Sequence, residues 1–287
     1  MRSACLILLT ALALLTGGTA DARVRVIAAN FPAYDFVREI TTGAPVDASL
    51  LLKPGMESHS FDPSPKDIIA ISGCDLFVYT GGESDEWSRK MLRATKLKGV
   101  VVAMAECVPA RWRGDEHVWT SPKNAASIVR SITDALCRAD GANAAVYRRN
   151  AEAYLNRLAE LDNTLRSLVN GAVRKKIAVA DRFPFRCMVE EYGLEYRSAV
   201  DGCAEDAEPS AASVAALIDY IREYRLPVAF FIEMSDQKTA DAVCSETGAR
   251  KLLLHACHNV SKSDFEAGAT YLSLMERNAA NLREALY

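Results

Sequence analysis

Histidine is scarce in this chain, with 4 in 287 residues. No two of its 8 cysteines stand in a Cys-x-x-Cys pair, so a thiolate zinc knuckle and a thioredoxin-type redox site both lack a sequence basis. The His-Glu-x-x-His signature of metallopeptidases is missing too. There is no excess of positive charge: 34 Lys and Arg stand against 37 Asp and Glu, for a net charge of -3. The cations are scattered rather than striped, which excludes the electrostatic footprint of a nucleic-acid binder. No apolar run approaches the ~20 residues that a membrane-spanning helix needs. The apolar run Ala4 to Leu15 follows Arg2 and precedes small residues ending in Ala20-Asp21-Ala22. Residues 1–22 therefore read as an export signal cleaved after Ala22. No cysteine follows that run where a lipoprotein is acylated, and Cys5 lies at its wrong end. The mature protein is expected to be soluble and periplasmic.

What is present is an ordinary globular composition, 50% hydrophobic, with length enough for two domains of average size. Short runs rich in β-branched residues, Val24 to Ala29, Ala48 to Leu52, Leu76 to Thr80 and Val100 to Met104, alternate with segments of helical period. One such segment, Lys66 to Ser72, follows Ser64-Pro65, a hydroxyl cap and a preset φ. The pattern recurs with strands at Lys176 to Ala180, Leu194 to Ala199, Val228 to Ile232 and Lys251 to Leu254. Helices are expected between them near Pro184 to Tyr192, Ala211 to Tyr224 and Gln237 to Thr247. The fold class is α/β, with two similar lobes, each a parallel sheet covered by helices, and a cleft between them.

Between the lobes, Tyr147, Ala151, Tyr154, Leu155, Leu158, Leu161, Leu165 and Leu168 repeat at helical spacing, with Asn143 as N-cap and Gly171 as stop. The expected helix is long and rigid, and its leucine stripe suits packing on the lobes better than a dimerising coiled coil. The organisation is thus an N-terminal lobe over 23–142, a connecting helix over 143–171 and a C-terminal lobe over 172–287. The chain is expected to be monomeric.

Every histidine falls beyond the carboxyl end of an expected strand. His59 follows the second, His117 the fourth, and His255 and His258 the last. In open α/β sheets ligands bind at that edge, because the connecting loops converge there. Imidazoles arriving from both lobes suit a borderline transition metal, since neutral nitrogen donors match zinc and its neighbours. Metal affinity is expected to fall on acidification, because protons compete for the same nitrogens.

Four segments, "PGMESHSFDPSPKDI", "DEHVWTSPKNA", "LPVAFFIE" and "ATYLSLMERN", joined through the long helix, resemble the cluster-nine zinc- and manganese-binding solute-binding proteins of bacterial ABC importers. The resemblance covers almost the whole mature chain. It implies a divalent metal as transported ligand, Zn2+ or alternatively Mn2+, and an inner-membrane ABC permease as partner. His59 and His117 match the family's first two metal ligands, and His258, rather than His255, the fourth. At the third position this sequence departs from the pattern: Arg182 stands there and cannot ligate a cation, whereas Asp181, one residue earlier, can. The implied ligand set is His59, His117, Asp181 and His258. Glu233 is the alternative third ligand, or else an acceptor that orients an imidazole.

Three imidazoles favour zinc over manganese by ligand softness and the Irving–Williams order. The His-rich loop that zinc members often carry before the second ligand is missing, since Trp87 to Asp115 holds no histidine. A full protein shell with no open position points to binding rather than turnover, so no catalytic residue is expected. A secreted metallohydrolase, with Glu57 or Glu233 as base, is the alternative of another class, and an adhesive surface protein a third. Seven cysteines meet an oxidising compartment after signal removal. One or two disulfides are expected, Cys203 with Cys257 beside the ligand edge, or Cys74 with Cys107 in the first lobe.

Overall fold

The computed structural model describes residues 23–56, 61–82, 86–95, 97–112, 115–202 and 208–287. His59, Glu57, Cys203 and the expected signal segment lie outside the described residues. The first lobe runs β1 (Val24–Ala28), α1 (Phe31–Thr41), β2 (Val46–Leu50), α2 (Pro65–Ser72), β3 (Leu76–Tyr79), α3 (Glu86–Ala94) and β4 (Val100–Ala103). Two long helices follow, α4 (Pro122–Ala139) and α5 (Ala144–Asn170). The second lobe continues with β5 (Lys176–Val179), α6 (Arg186–Tyr192), β6 (Glu195–Ser198), α7 (Ala211–Tyr224), β7 (Val228–Phe231), α8 (Lys238–Thr247) and β8 (Arg250–Leu253). Two helices close the chain, α9 (Lys262–Glu266) and α10 (Tyr271–Leu286).

Both sheets are parallel and share one strand order, β2-β1-β3-β4 and β6-β5-β7-β8. The second strand of each lobe lies to one side of the first and the third to the other, so each sheet has a switch point where connecting loops part. The eight strands lie where the β-branched runs place them, shifted by one or two residues at their ends. The strand period of two divides each sheet between two cores. Val26, Ala28, Leu76 and Val78 enter the same apolar cluster as Ile177, Val179 and Phe230 from the second sheet. Ile27, Phe77 and Tyr79 face a smaller cluster over the first sheet, and Ala178 and Ala229 another over the second. The two sheets thus share one continuous core.

α5 runs through that core. Its 27 residues span roughly 40 Å at the α-helical rise. The stripe Tyr147, Ala151, Tyr154, Leu158, Leu161, Leu165 and Leu168 is buried against α1, α4 and α10, so no leucine face is left over for a coiled coil. Asn143 occupies the cap position but its side chain makes no capping bond. It is drawn off by Asp140, which accepts from Asn143 Nδ2 at 2.8 Å and from the Tyr147 hydroxyl at 2.6 Å.

Among the described residues none of the expected disulfides is present. Cys74, Cys107 and Cys257 are free thiols, as are Cys137, Cys187 and Cys244. Cys74 precedes β3 and packs in the outer cluster of the first lobe, whereas Cys107 follows β4 and packs against the shared core. They sit at opposite ends and on opposite faces of a four-stranded sheet, beyond the reach of about 7 Å between Cα atoms that a bridge allows. Cys257 is a wholly buried free thiol 3.7 Å from the His255 carbonyl oxygen, and its expected partner Cys203 lies outside the described residues. Among the described residues no helix is long and apolar enough to cross a membrane.

Candidate metal centre

The loop after β8 carries His255 and His258, and the backbone groups of His255, Ala256 and His258 are held by other elements. Asn278 of α10 clamps His255 from both sides, accepting its amide and donating to its carbonyl, each at 2.7 Å. Glu233, following β7, accepts the Ala256 amide on Oε2 at 2.7 Å and the His258 amide on Oε1 at 3.1 Å. The Trp119 indole of the first lobe donates to the Ala256 carbonyl at 2.8 Å. The Phe31 amide at the start of α1 donates to the His258 carbonyl at 3.3 Å. These bonds hold Cys257 at φ +61°, a left-handed conformation that costs a non-glycine residue on the order of 1–3 kcal/mol. The strained turn decides which imidazole leaves the loop. His255 turns inward, its Nδ1 accepting the Cys257 amide at 2.9 Å, while His258 turns toward the other lobe.

His117 meets it there. It precedes a 3-10 turn over Val118–Thr120 that leads to Ser121, whose side chain caps α4. Its amide donates to Asp115 Oδ1 at 2.8 Å, and its carbonyl accepts the Thr120 hydroxyl at 2.8 Å. Burial raises the Asp115 carboxyl above its usual range, against the His117 amide and the Cys187 thiol, which both favour the anion. His117 Nε2 lies 3.2 Å from His258 Nδ1, with the rings edge to face at 80°. Trp119 packs edge-on against both imidazoles, and its own carbonyl is held by the Tyr271 hydroxyl at 2.6 Å. Both histidines are buried, at 4% and 7% exposure.

Two imidazole nitrogens bound to one tetrahedral zinc at its usual bond length stand about 3.3 Å apart. The separation of 3.2 Å between His117 and His258 is close to that value. Asp181 follows β5 and is half-buried, with Oδ1 accepting the Arg182 amide at 2.8 Å and Oδ2 lying 3.5 Å from the Ile232 amide. Among the described residues no three His, Cys, Asp or Glu side chains group closely enough to hold a metal ion. The structure brings together His117 and His258, leaves Asp181 outside that pair, and does not describe His59. Sequence reasoning gave no role to Trp119 or Asn278, although both stand in the motif segments "HVWT" and "MERN".

The lobes are also joined directly around this pair. Asn259 Nδ2 donates to the carbonyls of Lys53 at 2.9 Å and Met56 at 2.7 Å, and the Gly55 amide donates to the Val260 carbonyl at 2.8 Å. The segment leading to His59 is thereby tied to the loop that carries His258. The family model of the zinc-uptake complex component A, periplasmic, matches residues 26–285. The chain belongs to that family. It is 30% identical to the high-affinity zinc uptake system protein ZnuA of Bacillus subtilis over 94% of this chain and 91% of that protein. It is 28% identical to the zinc-binding protein AdcA of Streptococcus pyogenes, covering 92% of this chain but spanning only 56% of the AdcA length. Among solved structures, the metal-dependent lipoprotein YcdH of Bacillus subtilis superposes with a TM-score of 0.82 at 30% identity, over 92% of this chain and 100% of that one. The Zn(II)-bound ZnuA-like domain of AdcA from Streptococcus pneumoniae gives 0.80 at 27% identity, over 92% and 99%.

Proposed function

We propose that this protein captures a zinc ion outside the inner membrane and delivers it to an ABC permease. The observation that carries this reading is the approach of His117 Nε2 to His258 Nδ1 at 3.2 Å, one imidazole from each lobe, at the spacing of two ligands on one ion. Zinc is the named ligand of the relatives ZnuA and AdcA, and a Zn(II)-bound relative shares the fold. His59 and Asp181 complete the proposed set with His117 and His258. Glu233 already spends both oxygens on the amides of Ala256 and His258, which favours its orienting the His258 loop over ligating the ion. A set of three imidazoles and one carboxylate fills a tetrahedral shell and leaves no position for a reacting water, so the reading is of a carrier rather than a hydrolase. Manganese is disfavoured because three nitrogen donors rank it below zinc. The protein acts in the periplasm, free of the membrane once its signal segment is removed.

Elemental analysis of protein purified from its native compartment without chelator tests this directly. One zinc per chain, retained in competition with excess manganese, is the expected result. A preference for manganese, or no metal after incubation with zinc, would overturn it.

A further inference from the structure

Glu191 of the second lobe collects charge from the first lobe and from the connecting helix. It lies on α6, with its side chain only 7% exposed, and accepts from Lys123 Nζ at 2.6 Å and from Arg166 at 3.1 Å on Oε1, and from Arg111 at 3.1 Å on Oε2. Arg111 precedes His117 and Lys123 follows it, so one carboxylate of the second lobe holds both flanks of the segment that presents His117. Arg166 belongs to α5, where it also pairs with Asp162 at 3.2 Å. At the other end of α6 the Cys187 thiol lies 3.5 Å from Asp115 Oδ2, and Asp115 holds the His117 amide through its second oxygen. α6 is thus fastened to the His117 segment at two points.

Burial opposes charge on Glu191, but the bonds from Lys123 and Arg166, with their attraction, together hold its carboxyl below the usual carboxylate range. Arg111 and Lys123 are more than half exposed, and each alone would form a weak, solvent-screened surface pair. Sharing a carboxylate that is itself buried changes this. Without the anion, Arg111 and Lys123 lose their tie to α6 and face Arg166 of α5 across the junction, which loosens the His117 segment from the second lobe.

Building on the metal-binding reading above, we propose that Glu191 is a positioning residue of the metal site. It holds the Arg111 to Lys123 segment against the second lobe at the spacing that lets His117 meet His258. A site prepared in this way spends less of its metal-binding free energy on ordering the two lobes.

The test measures zinc affinity, by competition with a chromophoric chelator, for the parent, Glu191→Gln, Lys123→Met and the double variant, alongside thermal unfolding of each metal-free protein. Glu191→Gln is expected to weaken zinc about tenfold, the low end of the range for groups that act through a ligand. The double variant should be no weaker than Glu191→Gln alone, because both changes cut the same tie. Glu191→Asp should recover part of the loss. A lower unfolding temperature with zinc affinity unchanged in the folded protein would mark a merely structural role and sink the proposal, as would full additivity of the two substitutions. Should Glu191→Gln not fold, Lys123→Met and Arg111→Met, both on exposed side chains, take its place. Weakened zinc in the pair supports positioning, and parent-like affinity rejects it. If the parent binds zinc and Glu191→Gln matches it, only the positioning role fails. If the parent binds none, the metal reading itself fails.

Discussion

Asp35 Oδ2 accepts the backbone amide of Tyr271, 236 residues further along the chain, at 2.7 Å. The carboxylate sits on α1 of the first lobe and receives the first free amide of α10, which belongs to the second. Arg38 pairs with its other oxygen and also donates to the Ala269 carbonyl at 3.3 Å. A helix N-terminus and a guanidinium both favour the anion. Burial outweighs them, because the side chain is wholly enclosed, and the Asp35 carboxyl is pushed up from 3.8 to about 6.

The direction of that shift sets a pH dependence. With its folded-state pKa above the unfolded value, Asp35 favours folding most below about 3.8, and this contribution is lost as pH rises through about 6. The span corresponds to roughly 3 kcal/mol. Asp35→Asn keeps an acceptor for Tyr271 but has no proton to exchange. Urea unfolding of both proteins should therefore show the stability of the parent, relative to the variant, falling by up to about 3 kcal/mol between about pH 4 and pH 7. A difference that does not change with pH would mean that the carboxyl titrates in its ordinary range.

The continuous core predicts a single cooperative unit. Leu165 of α5 is fully buried in the cluster shared by both sheets. Leu165→Ala should cost about 2–5 kcal/mol. It should shift the unfolding transitions of both lobes together, read by circular dichroism and by the fluorescence of Trp112 and Trp119. Two separated transitions, only one of them moved, would contradict a shared core.

Thiol chemistry offers a third check. Burial pushes the Cys257 thiol well above its usual range, and Cys187 is raised too, by burial and the nearby Asp115 carboxylate. Alkylation of the native protein should leave both unmodified, since the thiolate is the nucleophile. Unfolding without reductant should expose both. Recovery of a cross-linked peptide containing Cys203 and Cys257 would show that the bridge forms after all.

The strands were legible because parallel strands buried on both faces concentrate β-branched residues, and α5 because a stripe such as Tyr147, Tyr154, Leu161 and Leu168 has only one period that fits. The meeting of His117 and His258 follows from placing each beyond the last strand of its lobe. The bonds that aim them were not legible. Glu233 was legible only as a third ligand or an acceptor that orients an imidazole, not as the acceptor of the Ala256 and His258 amides, and the bonds from Asn278 to His255 and from Arg111 to Glu191 cross tens of residues with nothing local in the sequence to mark them. The inward turn of His255 depends on the left-handed Cys257, a residue type that gives no sign of that conformation. The unpaired Cys74 and Cys107 have the same origin: membership of one lobe does not give the separation and direction that two sulfurs need.

The third ligand can be resolved by a pair of substitutions. Asp181 presents Oδ1 to the Arg182 amide and Oδ2 to the Ile232 amide at a loose 3.5 Å, so an oxygen lone pair is free to turn to an ion. Glu233 engages both oxygens, at 2.7 and 3.1 Å, with neither bond as loose as that to Ile232. Asp181→Asn replaces an anionic oxygen with a neutral carbonyl, and zinc affinity should fall well beyond the roughly 10- to 100-fold typical of groups one step removed from the metal. Glu233→Gln should stay within that range. Its oxygen can still accept one of the Ala256 and His258 amides but its nitrogen cannot accept the other, so the His258 loop loosens while the ligand set is kept. Arg182→Ala should change affinity only modestly. Isothermal titration with zinc, with circular dichroism confirming the fold, separates the cases. Tight zinc binding by Asp181→Asn together with its loss in Glu233→Gln would transfer the third position to Glu233 and leave Asp181 as a residue of the loop after β5.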